Sequence, residues 1–513
     1  MSARGVMVLG TGSHVGKSLL TAALCRILRQ DGYRVAPFKA QNMSLNSAAT
    51  PDGGEIGRAQ ALQAEAAGVA PSVDMNPILL KPTSDRRSQV VVRGRIWADF
   101  DAYEYHRHRT GELFDMVCAS YERLASQYDV VVLEGAGSPA EINLRATDIV
   151  NMRMAHAADA RCLLVGDIDR GGVFASLYGT IALLDEADRA RIAGTIVNKF
   201  RGDLALFEPA LPILEEKTGR PCFGVVPYLC DIGLEEEDGL GLDAVRIASR
   251  PPWSDADRPA RRTRIAVVAW PAIANYTDFD ALAREPSVDL AYVNASAALA
   301  GADLVILPGT KSTLAALAWL EESGTAAAVR AHEVPFVLGI CGGMQALGER
   351  VEDPHGVEGG GSARGLGLLP LVTTLAREKV FERARGAVLA QHIFGRAVAS
   401  QQIEGYEIHV GETSYAAGAR PFARIARESD GRALDDGAVS NDGRTIGTYL
   451  HGIFVGDAFR SVFLASLRAA CGLAPAERYL AFGTEREARL DRLAAHVRAS
   501  IDVPRALGTL VAS

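Results

Sequence analysis

Short uninterrupted runs of Val, Ile and Leu recur along this 513-residue chain and constrain its fold more than any other feature. They alternate with longer stretches whose apolar residues have helical spacing. Strands that are apolar on both faces are typical of parallel sheets covered by helices, and ligands bind such sheets beyond the carboxyl ends of the strands. In the first half of the chain, the runs are Val6–Leu9, Val130–Leu133, Cys162–Val165, Thr195–Val197 and Phe223–Val226.

A second alternating series begins at Ile265 and continues through residues 303–309, 335–340 and 445–452. The stretch between the two series, Ile247–Arg264, is rich in Pro, Arg and Asp and has no periodicity, which is typical of a linker. We therefore predict two α/β domains, each a mostly parallel sheet with helices on both faces. The predicted first domain, linker, second domain, and C-terminal helix and tail are residues 1–246, 247–264, 265–480 and 481–513.

Composition excludes several classes of partner. The net charge of −8 leaves no electrostatic footprint for nucleic acid, and no apolar run reaches the roughly 18–20 residues that span a bilayer. Acidic and basic residues interleave in the C-terminal stretch, which favours a packed or solvated helix over a membrane-surface helix. Seven scattered cysteines without C-x-x-C pairs, and a start that runs directly into a strand, predict a cytoplasmic protein without disulfides or zinc.

A glycine-rich loop, GTGSHVGKS, follows the first strand and opens a helix. Glycines let backbone N–H groups converge on a phosphate, the helix start favours an anion, and a lysine adds positive charge. The common phosphate loop has glycine where this chain has Thr11, so the pattern is a variant. The predicted nucleotide-binding residues are Gly10, Thr11, Gly12, Ser13, His14, Val15, Gly16, Lys17 and Ser18, the last of which would also bind Mg²⁺.

Polar residues follow other strands of the first series. Lys39 is predicted to hold a phosphoryl group or a substrate carboxylate, the alternative being a surface lysine. Glu134 ends an apolar run and precedes two glycines, a position where an acid can bind Mg²⁺ directly or through water. A purely structural buried Glu is disfavoured there, because burying an unpaired carboxylate is costly. Glu55 is a further candidate for the metal.

Two more strand ends leave alternatives open. Asp167 and Asp169 in GDIDRGG could bind metal, substrate or Arg170, and we place Asp169 with the phosphoryl- or substrate-binding residues. Asn198 in GTIVNKF is predicted to read the base edge of the nucleotide, the alternative being a plain loop asparagine.

The second series contains GICGGMQ, a strand–turn–helix in which glycines flank Cys341. This is the pattern of a nucleophile elbow, whose tight turn presents the thiol beside N–H groups that can bind an oxyanion. The backbones of Gly309 and Gly342 are the predicted oxyanion donors. A thiolate needs a base, and His451 in GTYLHGIF is the candidate, with His409 as its competitor.

Both constellations resemble known families. The shifted glycines of the loop resemble the dethiobiotin-synthetase-like ATPases, P-loop NTPase-like proteins that use ATP to phosphorylate a carboxylate. A related group, the partition ATPases that act on membranes or DNA, carries a lysine where this chain has Gly12. The glycine therefore weighs against the alternative function of a regulatory nucleotide switch. The second domain resembles the flavodoxin-like, triad-type glutamine amidotransferases, in which the cysteine forms a glutamyl thioester and releases ammonia. In place of the usual H-P-E motif, this chain has His451-Gly452-Ile453, so the glutamate that would orient the histidine is missing. Either another carboxylate (Glu407 or Asp457) orients His451, or a Cys–His dyad is sufficient.

Taken end to end, the chain resembles the glutamine-hydrolysing cobyric acid synthases of cobalamin biosynthesis. The resemblance rests on segments such as FKAQNMSLNS, LEGAGSPAEINLR, DIDRGGVFASLYG, NYTDFDAL and EGYEIHVGET. It implies ATP, Mg²⁺ and L-glutamine, and amidation of the b, d, e and g carboxylates of the corrinoid adenosylcobyrinic acid a,c-diamide to give adenosylcobyric acid. The alternative is a related synthetase acting on other carboxylates, as cobyrinic acid a,c-diamide synthase does on the a and c groups.

Overall fold

A computed structural model describes residues 3–82, 87–101, 105, 111–230, 232–234, 247–253, 261–331, 333–398 and 400–508. The chain divides into two compact units. The first consists of Met1–Ser44, Gly54–Asp238 and Arg486–Ser513, and the second of Leu45–Gly53 and Gly239–Glu485.

The core of the first unit is a six-stranded sheet in which all neighbouring strands are parallel. Its strand order is β6-β5-β4-β1-β3-β2. Because β1 lies in the centre, its apolar residues are buried on both faces of the sheet. The strands are β1 (Arg4–Gly10), β2 (Val35–Phe38), β3 (Val130–Glu134), β4 (Arg161–Asp167), β5 (Ile192–Phe200) and β6 (Cys222–Pro227).

Helices cover this sheet, and a small sheet lies beside it. The α-helices are Lys17–Gln30, Arg58–Ala67, Glu112–Ala125, Met152–Ala157, Val173–Leu183, Glu186–Arg191, Leu204–Phe207, Leu211–Thr218, Phe482–Ser500 and Val503–Leu507, and the 3₁₀ turns are Val73–Met75, Arg145–Thr147 and Glu208–Ala210. The small sheet consists of Gln41–Met43, Ile78–Pro82, Arg87–Val92 and Arg95–Asp101. A further short strand is Glu55–Gly57.

The second unit is built on another six-stranded sheet, with strand order β8-β7-β9-β10-β12-β11. All neighbours are parallel except the antiparallel edge strand β11. The strands are β7 (Thr263–Val268), β8 (Val288–Val293), β9 (Leu304–Leu307), β10 (Phe336–Ile340), β11 (Ala438–Val439) and β12 (Thr445–Thr448). The helices are Asp280–Ala283, Thr313–Glu322, Thr325–Arg330, Gly342–Leu347 and Asp457–Ala470, and the 3₁₀ turns are Tyr276–Phe279 and Ser296–Leu299.

A mixed sheet in the same unit supplies further residues near the elbow. Its members are Arg350–Asp353, Gly361–Arg364, Leu371–Val388, Gln402–Tyr415, Ala423–Arg427, Ala433–Asp436 and Leu450–His451. Ile273–Ala274 pairs with Gly309–Thr310, and His392–Ile393 pairs with Arg396–Ala397. The remaining short strand is Ser47–Ala49.

The fold class is as predicted, and two described segments join a compact unit that their position in the sequence did not indicate. Leu45–Gly53 belongs to the second unit, where Ala49 packs against Phe381 and Ile408. The C-terminal segment from Arg486 joins the first unit, because the apolar side of its helix is buried there and Arg26 forms ion pairs with its acidic residues. Neither association is visible in sequence, because both bring together residues that are distant along the chain.

The predicted linker 247–264 includes residues 254–260, which lie outside the described residues, as do 235–246 before it. None of the helices in the described ranges combines the length and the apolar character needed to cross a membrane.

Candidate active sites

The loop after β1 turns sharply into the helix Lys17–Gln30. Gly16 ends the loop at φ +94°, and a Cβ there would lie 2.3 Å from the side-chain nitrogen of Asn198, so this position requires glycine. The Lys17 ammonium donates to the carbonyl of Gly12 at 2.8 Å and to that of Gly137 at 3.4 Å. The loop backbone therefore closes around the Lys17 ammonium. Phosphate-binding loops enclose a bound phosphate with the same arrangement of backbone and lysine.

The Glu134 carboxylate at the end of β3 is the centre of a buried polar cluster. Its Oε1 accepts from the Ser18 hydroxyl at 2.8 Å and lies 3.0 Å from the Lys39 ammonium, while Oε2 accepts from Gln63 at 2.6 Å. Glu134 is 1% exposed and Lys39 is 3% exposed. The parallel neighbours β1, β2 and β3 bring these residues together, since their carboxyl ends lie on the same side of the sheet.

Ser18 and Glu134 form a donor set that fits Mg²⁺. A hydroxyl and a carboxylate oxygen meet at one point beside the phosphate loop, and Mg²⁺ typically takes one or two such protein ligands with phosphate oxygens and water. Within the described ranges, no group of three or more His, Cys, Asp or Glu side chains is placed to hold a metal. Glu55 is buried in an ion pair with Lys81, and its part in metal binding stays a prediction.

The remaining predicted residues of this unit have protein partners. Asn198 donates its side-chain amide to the Val15 carbonyl at 2.8 Å and so tethers the phosphate loop; its contact with a base stays a prediction. Asp167 lies 3.2 Å from the Lys199 ammonium and 4.0 Å from Arg170. Asp169 pairs with Arg201 at 2.8 Å, and its role toward substrate also stays a prediction.

In the second unit, Cys341 follows β10 at a strained backbone position, with φ 54° and ψ −113°. This geometry is that of a nucleophile elbow, in which the turn presents the side chain. The thiol is buried and donates to the Ile408 carbonyl at 3.4 Å, and the backbone N–H donates to Thr448 at 2.8 Å. A Cβ on Gly342 would lie 2.6 Å from the Thr310 methyl group, so the chain at Gly309–Thr310 passes directly against the elbow.

The predicted base His451 is fully buried, and its partner is an acid that the sequence motifs did not reveal. Its Nδ1 lies 2.6 Å from Oδ2 of Asp278, whose Oδ1 accepts the N–H of Gly452 at 3.0 Å. The Tyr406 ring stacks on the imidazole, with centroids 5.4 Å apart. Asp278 is therefore the acid that contacts the imidazole in this structure, and its role as the third catalytic residue is a prediction.

Opposing effects act on the charge of His451. Burial disfavours the imidazolium, but the Asp278 carboxylate and the Cys341 thiolate favour it more and raise the pKa of His451 to about 10. A thiolate–imidazolium pair is the reactive form of a cysteine nucleophile, because the thiolate attacks and the imidazolium can protonate the leaving group.

The other candidates for these roles have different partners. Glu407 accepts from Arg427 at 2.8 Å and lies 3.4 Å from His409, whereas the carboxylate that contacts His451 is that of Asp278. Asp457 accepts from Arg460 at 2.7 Å. His409 stacks on Tyr449, and burial lowers the pKa of this histidine. His409 therefore has Tyr449 and Glu407 as its contacts, and the choice of His451 over His409 as the base stays a prediction.

Three residues at these sites were missed by sequence reasoning: Gln63, Asn275 and Asp278. Asn275 and Asp278 lie in NYTDFDAL, a segment that stood out only as a family resemblance. Its position soon after β7, at the carboxyl edge of the second sheet, was the signal that could have identified it.

Family models match the chain in two ranges. Residues 6–242 match the model of the CobQ/CobB/MinD/ParA nucleotide binding domain, and residues 264–459 match that of the CobB/CobQ-like glutamine amidotransferase domain. The chain is therefore a nucleotide-binding glutamine amidotransferase, an ATP-using, glutamine-dependent, amide-forming ligase.

Relatives that match nearly the whole chain identify its family within this class of enzyme. The cobyric acid synthase of Klebsiella pneumoniae is 51% identical over 507 residues, which is 98% of this chain and 97% of that protein. Those of Syntrophobacter fumaroxidans and Moorella thermoacetica are 49% and 47% identical, each over 98% of this chain and over 98% and 96% of their own lengths. The chain belongs to the cobyric acid synthase family.

Proposed function

We propose that this protein amidates the b, d, e and g carboxylates of adenosylcobyrinic acid a,c-diamide and produces adenosylcobyric acid. The observation that carries the proposal is the similarity to cobyric acid synthases over 98% of the chain, which includes both sites. ATP activates each carboxylate, and ammonia from glutamine displaces the phosphate.

The residues of the first unit divide the activation step among them. Lys17 and the loop N–H groups hold the phosphates of ATP, and Lys39 holds the carboxylate that reacts. A carboxylate oxygen attacks the γ-phosphorus, the bond to the bridging oxygen breaks, and ADP leaves. Ser18 and Glu134 would hold Mg²⁺, which neutralises phosphate charge when bound. Ammonia then attacks the acyl carbon and loses a proton as inorganic phosphate departs.

The residues of the second unit release the ammonia. The Cys341 thiolate attacks the amide carbon of glutamine, and the backbone N–H groups of Gly309 and Gly342 bind the resulting oxyanion. His451 gives its proton to the departing nitrogen, so that ammonia leaves and a thioester remains. Water then attacks the thioester, His451 takes the proton from that water, and glutamate is released.

We place this reaction in the cytoplasm. All seven cysteines are free thiols. Apart from Cys341 at the site and the exposed Cys230, they are buried or half-buried. Unpaired buried thiols are typical of a reducing compartment.

One assay tests the substrate. The protein is incubated with ATP, Mg²⁺, glutamine and the a,c-diamide, and the corrinoid is followed by mass spectrometry. We expect four successive decreases in mass, each equal to the exchange of a hydroxyl for an amino group. The matched control replaces the a,c-diamide with cobyrinic acid. An unchanged a,c-diamide would refute the substrate, and two amidations of cobyrinic acid alone would favour the a,c-diamide synthase activity.

A further inference from the structure

Asn275 lies at the glutaminase site in a conformation that few side chains adopt. It has φ 52° and ψ 39°, directly after the strand Ile273–Ala274 and three residues before Asp278. Asparagine is among the residues that tolerate the left-handed region. The strand before it pairs with Gly309–Thr310, so its backbone is fixed against the predicted oxyanion donor.

The two ends of the Asn275 amide face different partners. Its oxygen accepts the backbone N–H of Ser47 at 3.2 Å, and its nitrogen lies 3.5 Å from Nε2 of His451. Asn275 is 4% exposed, so water does not compete freely for either end. Because the Ser47 N–H can only donate, it requires the oxygen on its own side and therefore places the NH₂ group toward His451.

This orientation has a chemical consequence for the base. The NH₂ group can donate to the lone pair of a neutral imidazole, but it meets a second donor when Nε2 carries a proton. Around His451, the titratable groups on neighbouring elements are Asp278, Cys341, Tyr406, and the Glu407–His409 pair. Asp278 and Cys341 favour the imidazolium, whereas the amide of Asn275 opposes it at the nitrogen that transfers the proton.

We propose that Asn275, oriented by the Ser47 N–H, is a positioning residue that promotes proton release from Nε2 of His451 during glutamine hydrolysis. The inference rests on the assignment of His451 as the base. It also makes Leu45–Gly53 part of the glutaminase, although this segment precedes residues 264–459 by more than two hundred positions. At 3.5 Å, the amide nitrogen and Nε2 lie at the outer limit of hydrogen-bond distance.

The test measures glutamate release from glutamine by the full-length protein as a function of pH. Asn275→Asp places a negative charge beside Nε2, so we expect the basic limb of kcat/KM to move upward by about one pH unit and kcat to fall about tenfold or more. Asn275→Ala removes the contact, and we expect a lower kcat with KM for glutamine within about twofold.

Ser47 supplies a matched pair of variants. Ser47→Pro removes the backbone N–H at the first residue of its strand, a position where proline is tolerated, whereas Ser47→Ala keeps the N–H. We expect Ser47→Pro to reproduce the kcat loss of Asn275→Ala and to lie about tenfold below Ser47→Ala.

Two outcomes would overturn the inference: an unchanged pH profile in Asn275→Asp, or equal kcat in the two Ser47 variants. Thermal unfolding identifies variants that do not fold. The assay needs no corrinoid, so a wrong corrinoid substrate leaves the inference standing. Glutamate release by Cys341→Ala would instead refute the proposed glutaminase site itself.

Discussion

At the scale of single residues, His451 and Asp278 are separated by 173 positions in sequence, yet Nδ1 and Oδ2 are 2.6 Å apart. This contact fixes the imidazole with its Nδ1 proton toward the acid and leaves Nε2 for the chemistry. The buried carboxylate is also one of the two charges that favour the imidazolium.

Replacing Asp278 with Asn keeps the shape and removes the charge. We expect glutaminase kcat to fall by about 10²–10⁴-fold, because the tautomer is no longer enforced. The imidazolium is populated below its pKa, and losing Asp278 lowers that pKa from about 10, so the basic limb of the pH profile should move to lower pH. Glutamate release measured across pH checks this. Asp457→Asn is the control, and an unmoved basic limb in Asp278→Asn would contradict the assignment.

At the scale of elements, a buried ion pair connects three segments of the second unit. Arg460 in the helix Asp457–Ala470 contacts Glu285 at 2.7 Å, and both side chains are fully buried. The Glu285 carboxylate also accepts the N–H of Leu480. The pair thus links the helix, the segment after Asp280–Ala283, and the chain that leads to the C-terminal helix.

Arg460→Ala should lower the free energy of unfolding by about 3–5 kcal/mol, because it leaves the buried Glu285 carboxylate without a counter-charge. Tryptophan fluorescence during urea unfolding measures this, since Trp253, Trp270 and Trp319 all belong to the second unit. The double variant Arg460→Met/Glu285→Gln buries no charge at either position and should be more stable than Arg460→Ala. A double variant that is less stable than Arg460→Ala would show that the uncompensated charge is not the cause.

At the scale of the whole molecule, the chain joins two chemistries in two units, one that activates a carboxylate and one that supplies nitrogen. Free ammonium can replace the product of the second unit but not the action of the first. The two units should therefore respond differently to loss of their central residues.

A matched pair of variants tests this division. Cys341→Ala should lose glutamine-dependent amidation by about 10⁴-fold or more while ammonium salts still support amidation. Lys17→Ala should lose amidation from both nitrogen sources by about 10²-fold or more, because phosphate charge is no longer compensated. Amide formation is measured with each nitrogen source. Failure of ammonium to rescue Cys341→Ala, or retained amidation by Lys17→Ala, would refute the respective role.

The pattern of the sequence was sufficient for the fold class, because apolar runs report burial on both faces of a strand wherever the strand lies. It was also sufficient to predict that Lys17, Ser18, Lys39 and Glu134 lie near one edge of the sheet, since parallel strands align their carboxyl ends. Cys341 stood out because the glycines of an elbow are its neighbours in sequence.

Tertiary structure alone decided the partners. Any of 62 Asp and Glu residues could have replaced the missing motif acid, and only the packing of the 3₁₀ turn Tyr276–Phe279 brings Asp278 to His451. The same holds for Gln63 at Glu134 and for Ser47 at Asn275. The sequence determines which polar side chains a local segment carries. The hydrogen-bond partner of a buried polar group is decided by the fold, because it comes from whichever segment packs within hydrogen-bond distance.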